Sequence, residues 1–104
     1  MVDRETLSDL EKQVFDRVVT VRDPEFGQTI GSRGLIDEVR VEEGTAYVTY
    51  HLTVPFCPDV FALYIGGEIR KKAEEVSGVK KAVVRVVGHI HADTLNQKLQ
   101  EGGS

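Results

Sequence analysis

The sequence predicts an α+β fold, a small mixed β-sheet with helices packed on one face and elements in the order α-β-β-α-β-α. Two amphipathic helical stripes and a pair of alternating segments around a Glu-Gly turn carry this prediction, together with a later valine-rich run. The 104 residues match the commonest size of one domain, so residues 1–104 are read as a single domain. Its core is placed at about 6–88, with 101–104 as a loose tail.

Ser8-Asp9-Leu10-Glu11 has the spacing of a capping box, and Leu7, Leu10, Val14 and Val18 recur at helical intervals. The spacing predicts a first helix from between Thr6 and Ser8 to about Val19. Asp23-Pro24 stops it, because a residue before proline is pushed out of the α region. Three glycines and one proline in the twelve residues 23–34 mark a long loop, a length often tied to function. Leu35 to Val41 and Tyr47 to Val54 alternate between two faces around Glu43-Gly44, which predicts a hairpin. Pro58 suits the first turn of a second helix, with Cys57 at about its N-cap. Ala62, Ile65, Ile69, Ala73 and Val76 form that helix's stripe, and Gly78 closes it. Gly66-Gly67 inside it points to close packing against a neighbouring backbone. Lys81 to Val87 reads as a third strand with two apolar faces, and Asp93 as the cap of a last helix from Thr94 to Gln100. The hairpin should pair with the third strand in one sheet, with the first two helices on the same face.

Composition narrows function. A net charge of -4 and a pI near 5.3 exclude a duplex-binding protein, which needs a basic face to displace counterions. The basic groups Arg70-Lys71-Lys72 and Lys80-Lys81 lie beside acidic residues and suit solvated helix ends. No apolar run approaches the roughly 20 residues of a membrane span. Met1-Val2-Asp3-Arg4-Glu5 lacks a signal peptide's basic start and apolar stretch, so the expected compartment is the cytoplasm. One cysteine cannot form an intrachain disulfide, so the fold does not depend on oxidation.

Cys57 is the most informative residue. A cysteine at a helix start meets unpaired N–H groups and the positive end of the helix dipole, which favour the thiolate. The thiolate is both the nucleophilic and the metal-binding form. The plainer alternative is a buried cysteine acting as a small apolar residue. His89 and His91, two apart, would point to one side of an extended segment and with Cys57 could make a His-His-Cys metal set. Against this stands a pair that is simply exposed or locally hydrogen-bonded. His51 falls on the polar side of its strand and reads as a surface residue. Asp23 and Glu25 could be taken for an acid/base pair, but Asp23 more simply starts a turn through its side chain. There is no P-loop, no Gly-x-Gly-x-x-Gly after a strand, no Cys-x-x-Cys and no Gly-x-Ser-x-Gly.

Asp23-Pro24-Glu25-Phe26-Gly27, Arg33-Gly34-Leu35-Ile36 and Thr53-Val54-Pro55-Phe56-Cys57-Pro58 stand in an order that resembles a known family, with Gly78-Val79 leading to the last strand. This is the small domain shared by SufT, PaaD and the eukaryotic cytosolic iron–sulfur targeting factors, domain of unknown function fifty-nine. The resemblance covers about residues 8 to 88. It departs at Arg33, where the family usually has aspartate, and after the last strand, where many members carry a Trp/Pro-rich segment.

The resemblance implies an iron–sulfur cluster assembly-type fold and a non-catalytic factor in cluster assembly or delivery to client proteins. Cys57 would be the functional thiol or cluster ligand, with Asp23, Glu25 and Thr53 in the supporting segments and His89 and His91 as further metal candidates. A lone thiolate cannot hold a cluster that takes four protein ligands, so none would be permanently bound. A transient cluster would be shared between two chains as a homodimer, or with an iron–sulfur scaffold, a P-loop carrier or a client apoprotein. Two alternatives belong to other classes. One is an adaptor docking on an oxygenase or P-loop carrier, with a structural cysteine. The other is a thiol enzyme with Cys57 as nucleophile and His51, His89 or His91 as base.

Overall fold

The computed structural model describes residues 4–23, 27–52 and 58–101. Helix α1 (Asp9–Val18) begins at the predicted capping box. The Ser8 hydroxyl accepts the Glu11 amide (3.3 Å), and the Glu11 carboxylate accepts the Ser8 amide (3.0 Å). A single turn of 3-10 helix, Arg4–Thr6, precedes it.

Strands β1 (Ile36–Glu42) and β2 (Thr45–His51) form an antiparallel hairpin. Both turn residues have positive φ, Glu43 at 52° and Gly44 at 82°, as the tightest hairpin turn requires. Helix α2 (Asp59–Glu74) crosses over to strand β3 (Lys81–Val87), which pairs in parallel with β2. The sheet order is β1-β2-β3. Helix α3 (Ala92–Glu101) then runs back beside β3. The predicted order α-β-β-α-β-α and the mixed sheet are both present.

Alternate strand residues bury one face. Val39, Ala46, Val48, Tyr50, Ala82, Val84 and Val86 join Val14 and Val18 of α1 and Ala62, Ile65, Ile69 and Ala73 of α2 in one core. The first two helices therefore share a face, as the two stripes predicted. Leu95 brings α3 into the same core, fully buried. The opposite face carries Arg40, Tyr47, Thr49, His51, Val83 and Arg85, none of them fully buried. On it the Arg40 guanidinium stacks 4.7 Å above the Tyr47 ring.

Three boundaries differ from the sequence reading. Helix α2 starts at Asp59 with Pro58 as N-cap, its ψ of 137° being extended, so Cys57 falls one position before the cap. The same helix ends at Glu74 with Glu75 as C-cap, about a turn before Gly78. Val76 continues the buried stripe from a turn, its amide bonded to the Ala73 carbonyl. Helix α3 begins at Ala92, so Asp93 sits inside the first turn instead of capping it. Thr53, Val54 and 102–104 lie outside the described residues.

Gly66 has a definite packing reason, though its neighbours are side chains and not the backbone expected. A Cβ there would lie 2.5 Å from Leu99 Cδ2 and 2.8 Å from the Tyr50 hydroxyl. A Cβ on Gly67 would meet nothing within 4 Å. Gly66→Ala should therefore destabilise by about 1–3 kcal/mol through overpacking. Gly67→Ala should stabilise by up to about 1 kcal/mol through helix propensity. Urea unfolding of the two variants checks this, and equal effects would refute it.

Glu11 does more than cap α1. Its second carboxylate oxygen accepts the Val41 amide (2.9 Å) on the outer edge of the sheet. The Ser8 and Val41 amide bonds hold its carboxyl below the ordinary glutamate range. A depressed pKa gives stability that is complete above the unfolded value and is lost as pH falls through the folded one. Glu11→Ala should cost about 1–3 kcal/mol at neutral pH, combining a lost cap and a lost charged hydrogen bond. Wild type should lose part of that margin below about pH 4.5. Urea midpoints at neutral and acid pH should therefore converge for the two proteins, and a constant gap would contradict the assignment.

Candidate functional site

Parallel pairing of β2 with β3 through α2 sends three connections out of one end of the sheet. Tyr50 pairs with Ile36 of β1, and His51, the last residue of β2, pairs with Val87, the last of β3. From this end issue the loop before β1, the link from β2 to α2, and the turn from β3 to α3. In open sheets with parallel strands, ligands gather outside the carboxyl ends of the strands.

Backbone hydrogen bonds tie the first connection in place. The Leu35 carbonyl accepts the His51 amide (2.9 Å), Ile30 accepts from Leu35 (3.1 Å), and Val21 accepts from Ile30 (2.8 Å). Asp23, buried to 9% exposure, closes the adjoining turn with its backbone: its amide reaches the Gln28 carbonyl and its carbonyl accepts the Gly27 amide, both at 2.8 Å. Arg22 donates to the Gly27 carbonyl (2.6 Å). Arg33 donates to the Gln28 side chain (3.0 Å), folding back onto its own loop.

The second connection carries Thr53 and Cys57, which lie outside the described residues, as does Glu25 of the first. Its anchors are described. The fully buried Tyr50 donates its hydroxyl to the Ala62 carbonyl at 2.7 Å, joining β2 to α2 across the link. The Cys57 segment thus leaves and returns through two elements fixed to each other.

The third connection brings the predicted histidines together in a form the sequence did not foresee. Gly88, at φ 71°, ends the extended run. His89 and His91 are therefore not strand neighbours on one side. His89 is buried to 7% exposure and His91 is exposed. The His91 amide donates to His89 Nδ1 (2.9 Å), and the rings lie 5.7 Å apart. His91 Nδ1 contacts both carboxylate oxygens of Asp59, at 3.0 and 3.3 Å. Asp59 opens α2, two residues after Cys57, and was not singled out from the sequence. Its signal was an acidic residue directly after a helix-start proline.

His51 is more than a surface residue: its Nδ1 lies 2.8 and 3.0 Å from the two carboxylate oxygens of Asp37. This pair occupies the face of the sheet opposite the helices, whereas Asp59 and His91 stand at the head of α2. The structure thus groups His89 and His91 with Asp59 and leaves His51 apart.

Comparison with known proteins agrees with this architecture. The family model described as "Iron-sulfur cluster assembly protein" matches residues 11–86. The chain belongs to this family. An uncharacterised protein of Methanocaldococcus jannaschii is 33% identical over 92 residues, 88% of this chain and 95% of that protein. The crystal structure of a DUF59 domain from Bacillus anthracis superposes with a TM-score of 0.70 at 23% identity, covering 96% of each chain, a likeness of fold. Among the described residues, no helix is long and apolar enough to cross a membrane.

Tyr50→Phe removes the clamp with little loss of volume. It should lower stability by about 0.5–1.5 kcal/mol, the net worth of one neutral hydrogen bond. Urea unfolding at neutral pH measures it, and an unchanged midpoint would show that the bond adds nothing.

Proposed function

We propose that the protein is a non-catalytic factor in iron–sulfur cluster assembly or delivery, acting through Cys57 on a cluster that is cargo and not a resident cofactor. The observation that carries this reading is the membership of residues 11–86 in the iron–sulfur cluster assembly family, with the chain's one cysteine inside the matched span. Its place in the link between β2 and α2 supports the reading, because that link belongs to the ligand-gathering end of the sheet.

Chemistry then dictates the mode of action. A cluster takes four protein ligands, and one thiolate supplies one of them. The remaining ligands come from a second copy of the chain, a scaffold, a P-loop carrier or a client apoprotein. Incomplete ligation suits hand-over, since a site holding all four ligands would retain its cargo. The cytoplasm is the fitting compartment, where thiols stay reduced.

Anaerobic reconstitution with iron and sulfide, comparing wild type with Cys57→Ala, tests the proposal. The substitution should cost about 0.5–3 kcal/mol, tolerable against a typical total of 5–15 kcal/mol. Wild type should acquire the visible absorption of a cluster in an oligomeric or thiol-shared form. Cys57→Ala should fold and acquire none. Restored activity of iron–sulfur enzymes in cells lacking the native protein should likewise need Cys57. If Cys57→Ala folds and complements fully, the thiol is dispensable and the adaptor reading replaces this one.

A further inference from the structure

Asp59, His89 and His91 have no part in the proposed cluster chemistry, yet each presents a ligand atom within 4.8 Å of the other two. We propose that they form a separate, exchangeable site for one borderline first-row divalent cation of the zinc or ferrous class. This goes beyond the cluster reading and does not depend on it.

The donor set defines the class of ion. Two imidazoles and one carboxylate suit zinc and iron(II), whereas magnesium and calcium prefer oxygen throughout. The spacing fits as well. Ligands about 2.1 Å from a tetrahedral ion stand roughly 3.4 Å apart. The His91 Nδ1 to Asp59 distances of 3.0 and 3.3 Å already approach that value. A cation would take the place of this direct contact: the neutral imidazole ligates through the Nδ1 lone pair and keeps its single ring proton on Nε2.

His89 completes the set with a small movement. Its Nδ1 now accepts the His91 amide. Ligation through Nδ1, or through Nε2 once the ring proton moves to Nδ1, gives up that bond, and solvent at the open rim can take the amide. The positions are firmly based. Asp59 lies in the first turn of α2, which Tyr50 fixes to β2, and His89 stands one residue beyond β3, after Gly88. An ion here would join the start of α2 to the turn between β3 and α3.

Access is open. A depression of about 340 Å³ lined by His89, Ile90, His91, Ala92, Asp93 and Thr94 borders the histidines, and His91 faces solvent. Three protein ligands with a fourth position open to water is the pattern of an exchangeable site, unlike the closed four-ligand structural kind. The plainer reading is a largely exposed His91–Asp59 ion pair that contributes little, with His89 merely buried. That reading predicts no metal affinity.

Calorimetric titration of untagged protein with zinc ion decides between them. Wild type should bind one equivalent per chain. His91→Ala, His89→Ala and Asp59→Asn should each weaken binding at least about tenfold, a loss already typical of outer-shell partners. Cys57→Ala and His51→Ala should bind as wild type does. Cobalt(II) in the same site should give ligand-field bands without a thiolate charge-transfer band. Because His89 is buried and its variant can fail to fold, the exposed His91→Ala, verified as folded, is decisive. Absence of zinc binding by wild type, or unchanged binding by His91→Ala, overturns the proposal. Loss of binding in Cys57→Ala with a thiolate band in the cobalt protein also overturns it, because the site would then centre on cysteine. Failure of the cluster reading is seen separately, in reconstitution and complementation of Cys57→Ala.

Discussion

The hydrogen bond from the Tyr50 hydroxyl to the Ala62 carbonyl is the constraint on which the functional end depends. A buried hydroxyl without a partner would cost about 1–3 kcal/mol. β2 and α2 are therefore fixed in the register that satisfies it. The contact also demands room. The hydroxyl and Leu99 both stand where a side chain at position 66 would project, so the helix carries glycine there despite its unfavourable propensity. Helix α3 is drawn into the same arrangement through Leu99. One polar contact thereby sets the spacing of three elements, and two of the three connections at the site hang from them.

A three-stranded sheet has two edges for only one central strand, and exposed edges invite pairing with other chains. Both edges here are met by side chains. Glu11 takes the Val41 amide on β1. On β3, Asn96 accepts the Val86 amide at 2.8 Å and donates to its carbonyl at 3.0 Å, matching what a neighbouring strand would offer. Glu74 takes the Ala82 amide further along. The helices thus close the sheet laterally while covering one face. Polar groups able to act on a ligand are left at the strand ends and on the open face.

Periodicity was the legible part of this sequence. Val14 and Val18, Ala62 to Ala73, and the alternating valines of the strands are buried where their spacing put them, because apolar burial is collective and tolerates small errors of boundary. The capping box was legible for a different reason, since both of its bonds are local. What stayed hidden required knowledge of distant neighbours. Gly66 looked anomalous until Leu99 and Tyr50 were in place. Burial of His89 depends on packing after β3, and the Gly88 turn undid the extended geometry assumed for the two histidines. The Asp37–His51 and Asp59–His91 pairs join residues 14 and 32 positions apart, a relation no single-sequence pattern encodes. The cap of α2 was off by one residue because Pro58 is compatible with either position, and its extended ψ selects the N-cap.

The two proposed chemistries share one end of the molecule for a topological reason. In a parallel pair the crossover helix begins at the carboxyl end of the first strand and carries the chain back to the amino end of the second, which places the start of α2 beside the exit of β3. Asp59 suits the first turn of α2 because a carboxylate there meets the positive end of the helix dipole, while Lys71 and Lys72 occupy the last turn. The same placement brings Asp59 against His91 with no catalytic motif in either segment. The residue two positions before Asp59 is the chain's only cysteine. The proposed soft ligand thus belongs to the β2–α2 link, and the nitrogen and oxygen set proposed for a cation is completed by the β3–α3 turn. Because Cys57 and His91 stand on different connections and His91 is exposed, substitution of one is expected to leave the other in place. That separation is what lets the two proposals, cluster handling through Cys57 and cation binding at the histidines, be tested by different substitutions in one small domain.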